Sequence, residues 1–144
     1  MTDKSFKKVG QTENYLYGPR KILLCGYSAD EINHFQNILK EAQLSDIALI
    51  VANTESLAYE LKDLFSQADK SRFSKDSVMQ RATILAGITE KELHDILNTY
   101  RSSSLPRQFW ATLTPVSENW TLQELLEELK KENEAIRKQQ QPKN

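Results

Sequence analysis

Cys25-Gly26-Tyr27-Ser28 places a thiol, a turn glycine and a hydroxyl within four residues, at the end of the apolar run Lys21–Cys25. A thiol at a helix start is acidified by the helix dipole, and the free backbone N–H groups there hold anions. The same spacing recurs without the thiol at Ala86-Gly87-Ile88-Thr89. Cys25, Gly26, Ser28, Gly87 and Thr89 are therefore the first candidates for binding a small anionic ligand. Two specific chemistries fail on inspection. A cysteine phosphatase needs an arginine six residues after its thiol, and that residue is Glu31. A phosphocysteine carrier needs a longer loop rich in serine and glycine. Because Ala86 stands where Cys25 stands in the second run, the plainer reading of Cys25 is a small residue ending a buried strand.

Other chemistry is sparse. Four glycines form no dinucleotide or Walker loop. The first strand ends in Cys25-Gly26 and the second in Ala52-Asn53, so the acidic cluster of a response-regulator receiver is missing. His34, His94 and one cysteine are too few and too scattered for a zinc site, so neither a metal nor a cofactor is expected. The lone cysteine forms no intrachain disulfide. Formal net charge is −1, without the basic surplus of most nucleic-acid binders. Phe109, Trp110 and Trp120 near Arg101 and Arg107 invite a base-stacking role. However, alternation along a strand puts Phe109 and Trp110 on opposite sheet faces, which makes both rings core if helices cover both faces. A third candidate stretch is "LTPVSENWTL", Leu113–Leu122. Its Thr114, Asn119 and Trp120 either line a site or, in Trp120's case, plug the core by packing on Leu125 as a hydrophobic staple.

The elements that carry these residues repeat. Strand Lys21–Cys25 is followed by a helix that opens with the capping box Ser28/Glu31 and keeps Ile32, Phe35, Leu39 and Ala42 on one face. Strand Ile47–Ala52 leads to a helix over 56–68, with Leu57, Leu61, Leu64, Phe65 and Ala68 inward. The second half matches at an offset of 61: Ala82–Ala86, the box Thr89/Glu92, then Leu93, Ile96, Tyr100 and Phe109–Leu113. Beyond Leu113 the offset is expected to become 65, with Leu122, Leu126 and Leu129 beneath Leu57, Leu61 and Leu64. "LTPVSENWTL" would then hold about four extra residues. Thr121/Glu124 makes a third box.

The expected fold class is α/β, with two β-α-β-α units in one four-stranded, mainly parallel sheet of order 2-1-3-4. Helices flank the sheet and the C-terminal helix is long. Parallel central strands would set the Gly26 and Gly87 turns side by side at a ligand-binding switch point. A two-fold between the units would make the centre antiparallel and remove that crevice. The expected divisions are a flexible arm at 1–19, a first unit at 20–68, a linker at 69–80, a second unit at 81–136 and a frayed tail at 137–144.

"ILAGITEKELHDIL", "LP", "ATLTP" and "NWTLQELLEELKKE" resemble the bacterial domain-of-unknown-function family DUF3783, over roughly Thr83 to Glu132. The resemblance implies a small bacterial α/β domain and carries no activity. The first expectation for function is a non-enzymatic binding or interaction module. Its partner is unidentified, and a protein partner or a homodimer through the Leu122/Leu125/Leu126/Leu129/Ile136 stripe is one route. The alternatives are an enzyme or group carrier at the glycine turns and, less favoured, a single-stranded nucleic-acid binder. No apolar run is long enough to span a membrane and no secretory signal is visible, so the expected location is cytoplasmic.

Overall fold

The computed structural model describes residues 14–67 and 79–140. The elements run β1 (Lys21–Cys25), α1 (Ala29–Glu41), β2 (Ala48–Val51), α2 (Leu61–Leu64), β3 (Ala82–Ala86), α3 (Glu90–Arg101), β4 (Phe109–Thr112) and α4 (Leu122–Gln140). Strand alternation sorts the side chains onto two faces. Ile22 and Leu24 join Phe35 and Ile38 of α1 and Ile96 and Tyr100 of α3 in one core. Leu23 and Cys25 join Leu61 and Leu64 of α2 and Leu122 and Leu125 of α4 in the other. The result is a sheet between two helical layers. Among the described residues no helix is long and apolar enough to cross a membrane.

The sheet order is β2-β1-β3-β4, as expected. The outer pairs β1–β2 and β3–β4 are parallel, the usual outcome of a strand–helix–strand unit. The central β1–β3 pair is antiparallel, which corrects the parallel centre that a switch-point crevice required. Leu23 faces Ile84, and these residues are themselves 61 apart. Each outer pair keeps the same 27-residue step, Lys21 to Ala48 and Ala82 to Phe109. A local two-fold thus passes between Leu23 and Ile84 and relates residue i to residue i+61.

The same two-fold recurs above the sheet. Glu60 and Thr121, again 61 apart, form an antiparallel bridge. Leu61 N–H donates to the Trp120 carbonyl at 2.9 Å, and Leu122 N–H donates to that of Tyr59 at 3.0 Å. The offset therefore never becomes 65, and "LTPVSENWTL" holds no excess. Asn53 and Ser56 cap a 3-10 turn over Thr54–Ala58. Thr114 and Ser117 hold the equivalent turn Ser117–Asn119 by the same side-chain pattern. The second helix of the first unit accordingly starts at Leu61 rather than Ser56. Leucines in both turns and helices allowed the false alignment.

The chain ends also depart from expectation. Gly87 N–H donates to the Tyr17 carbonyl and Leu16 N–H to that of Ile88. Residues 14–19 are thus part of the packed structure, while 1–13 lie outside the described residues. Ala68, expected inward at the end of the second helix, and 69–78 of the expected linker lie outside as well. The α4 backbone stays helical to Gln140, past the expected fraying point, and 141–144 are outside.

Gly87 has φ +65°, and a Cβ there would stand 2.5 Å from the Arg20 backbone nitrogen. Gly87→Ala is expected to cost more than about 1 kcal/mol. Leu23→Ala, which empties the fully buried dyad position, should cost about 2–5 kcal/mol. Val116→Ala, at a site 67% exposed, should stay within about 0.5 kcal/mol. Urea-unfolding midpoints of the three variants check the ranking.

Candidate functional site

The antiparallel centre disperses the residues first suspected of chemistry. Cys25, Gly26 and Ser28 lie at one end of the β1–β3 pair, and Gly87 and Thr89 lie at the other, about 14 Å of strand away. Cys25 is 0% exposed, and burial pushes its thiol pKa far above the ordinary cysteine range. Neither helix start is open to an anion. Glu31 accepts from Ser28 N–H, and Glu92 accepts from Thr89 N–H, so a carboxylate already occupies each place. Thr114 sits at the same sheet end as Gly87 and shares its hydroxyl with Ser117. Exposed Asn119 accepts from Lys62 Nζ at 3.2 Å. Trp120 is half-buried against the α2/α4 core.

Two crossed ion pairs hold the capping carboxylates. Arg20, just before β1, grips Glu92 of the second unit with contacts of 2.7 and 2.9 Å and reaches Asp46 at 2.9 Å. Its counterpart Arg81, just before β3, grips Glu31 of the first unit at 2.6 Å. Arg20's hydrogen bonds hold the Glu92 carboxyl below its ordinary range, against partial burial and with help from Thr89 N–H. Asp46 is lowered by the same arginine. At Glu31 burial acts upward, but the Ser28 N–H and Arg81 outweigh it. Carboxyls with depressed folded values contribute stability that is complete above the unfolded value and lost as pH falls through the folded one. Stability should thus be flat from pH 7 to about 5 and fall below about 4.5. Glu92→Gln should lower it by up to about 1 kcal/mol at pH 7, with the difference from the parent shrinking as pH falls below about 4.5. Urea midpoints across that range check the sign.

The two-fold exposes one marked difference between the units. On the α1/α3 face the first unit buries Ile22, Leu39 and Ile47, with Ile88 crossing over from the second; none is more than 4% exposed. At the equivalent places stand Thr83, Tyr100, Gln108 and Tyr27. Each member of this second set makes at least one hydrogen bond. Tyr27 Oη and Thr83 Oγ1 are 2.8 Å apart, and each lies within 3.1 Å of Gln108 Oε1. Tyr100 Oη accepts from Arg81 Nη2 and donates to the Pro106 carbonyl. The Arg81 guanidinium stacks 3.9 Å from the Tyr27 ring centroid, a cation–π contact. Among the described residues two buried nitrogens, Arg81 Nε and Gln108 Nε2, have no hydrogen-bond partner. Each such group costs about 1–3 kcal/mol relative to a satisfied one.

A cleft of about 430 Å³ opens beside this cluster, lined by Tyr100, Arg101, Leu105, Arg107, Gln108 and Trp110. Trp110 stands edge-on to Tyr100 with centroids 5.0 Å apart. Arg101 and Arg107 are exposed and form no ion pair with any described residue. Phe109 and Trp110 do lie on opposite faces, as alternation requires.

Residues 81–136 match the family model of DUF3783, a domain of unknown function. The resemblance expected for the second half is present, and it reaches slightly further at both ends. No curated protein and no solved structure matches the chain. The DUF3783 segment contains the whole polar cluster and cleft except Tyr27, which the first unit lends across the two-fold.

Sequence reasoning missed Arg81, Thr83, Gln108 and Tyr27. A signal existed: Gln108 lies 61 positions after Ile47 and Thr83 the same distance after Ile22. A polar residue beneath a core residue in an aligned unit marks a departure from packing.

Proposed function

We propose that this chain is a non-catalytic binding module whose site is the cleft between the end of α3 and the start of β4. One observation carries the reading. Where one set packs four buried aliphatic side chains, the other holds three buried polar ones and the half-buried Gln108, whose buried amide nitrogen has no described partner. Apolar residues of similar volume would be neutral or better for stability at such positions. Retaining polar groups against that gradient fits a role in recognition. The unpaired Arg101 and Arg107 favour a ligand with a negative charge. The glycine-turn enzyme or carrier reading loses support because those turns lie at opposite sheet ends and Cys25 is sealed. The cytoplasm is the compartment we propose, and a bacterial source accords with the DUF3783 likeness. The shared 61-residue operator also supports descent of both units from one duplicated β-α-β-α ancestor.

The double variant Thr83→Ile/Gln108→Ile copies the apolar set of the first unit. It should match or exceed the parent in stability and lose ligand binding. Thermal-shift screening of anionic small molecules against both proteins in parallel tests this. A compound that raises the melting temperature of the parent alone supports the site. Equal response of both proteins to every hit rejects it, as does a double variant that unfolds.

A further inference from the structure

Among the described residues β4 is an edge strand, paired on its inner side alone. Phe109 N–H donates to Arg81 and Leu113 N–H to Leu85, so the odd-numbered residues face β3. Trp110 and Thr112 therefore turn their N–H and C=O groups outward, where no described residue meets them. All four residues of β4 are half-exposed. On the opposite edge β2 is buried at three of four positions, and Leu49, the counterpart of Trp110, is partnered. Natural edges are guarded by lysine, proline or a covering segment. β4 carries no lysine or proline within its length, and its start lies against the cleft with Arg107 two residues before it.

We propose that the open edge of β4 takes an extended peptide as a fifth strand, with an acidic side chain of that peptide held by Arg101 and Arg107. This deepens the cleft reading and rests on it. Backbone pairing at Trp110 and Thr112 supplies affinity without sequence demand. The two guanidiniums, uncompensated by any described carboxylate, select a carboxylate near the peptide end that lies by the β4 start. Leu105 and the Trp110 ring offer apolar surface to the neighbouring side chain.

The full chain is panned against a degenerate hexapeptide library, and the selected peptide is then followed by amide hydrogen exchange. Selection should enrich Asp or Glu at one position among β-branched or aromatic residues. The bound peptide should slow exchange at Trp110 and Thr112 about tenfold or more. Arg101→Gln/Arg107→Gln should weaken binding about tenfold, and Thr112→Pro, which removes an outward N–H but no bond to β3, should abolish it. The arginine variant keeps the test decisive if the proline variant misfolds. The proposal is overturned if the library enriches nothing or shows no acidic preference, or if the two amides exchange freely with peptide bound. It is equally overturned if they become protected by self-association alone, which would give the edge to a second copy, or by oligothymidylate but not by peptide. Anion hits lost in Thr83→Ile/Gln108→Ile, with no peptide bound, would leave the cleft reading standing and remove strand addition. Failure of both anions and peptides removes both.

Discussion

Antiparallel pairing of β1 with β3, centred on Leu23 and Ile84, is the constraint from which the rest of the molecule follows. It turns two parallel strand pairs head to tail. The start of each central strand is thereby brought beside the end of the other, and the residues preceding one strand cover the turn following the other. Gly87 has to be a glycine because the Gly18–Arg20 backbone passes over it. Gly26 is pressed in the same way by Met79 and Arg81. Had the pair run parallel, both turns would have opened into one crevice and the crossed arginine–glutamate pairs would not exist.

Given that frame, the two faces of the sheet behave differently. The α2/α4 face follows the two-fold closely, through the Glu60–Thr121 bridge and paired leucines. The α1/α3 face breaks it. A hydrogen-bonded set with a stacked guanidinium replaces an aliphatic set at the same positions, with Gln108 half-buried where Ile47 is buried. In a low-dielectric interior such a network fixes side-chain geometry tightly when every member is satisfied and is costly where one is not. The unit that departs from the simpler packing solution also carries, among the described residues, the β4 edge and the two arginines without ion pairs.

Much of the fold was legible because it rests on short-range signals. Apolar runs fixed the four strands, the boxes at Ser28 and Thr89 fixed two helix starts, and the order 2-1-3-4 followed from economy of connection. The sense of the central pair was not legible, because strand periodicity is identical in both directions. The start of α2 was misread because leucine spacing tolerates a shift of one helical turn, whereas Asn53 with Ser56 and Thr114 with Ser117 do not. The candidate site was harder still. Gln108 reads as a loop residue beside a strand, and only its three-dimensional equivalence to Ile47 makes it notable. Tyr27 belongs to one unit in sequence and to the other in space.

The crossed pairs have a consequence for what counts as a domain here. Glu92 depends on Arg20 for its charge partner, and Glu31 depends on Arg81. The Gly87 turn is closed by chain from the first unit, and the Tyr27 hydroxyl joins the hydrogen bonding of Thr83 and of Gln108 Oε1. The stretch that matches DUF3783 is therefore a segment of recognisable ancestry but not, by itself, a finished object. Cut at residue 81, it would lose the backbone that covers its Gly87 turn, the Arg20 partner of Glu92 and the Tyr27 hydroxyl beside Thr83 and Gln108. What sequence comparison delimits as a module, the folded chain completes only as a reciprocal pair.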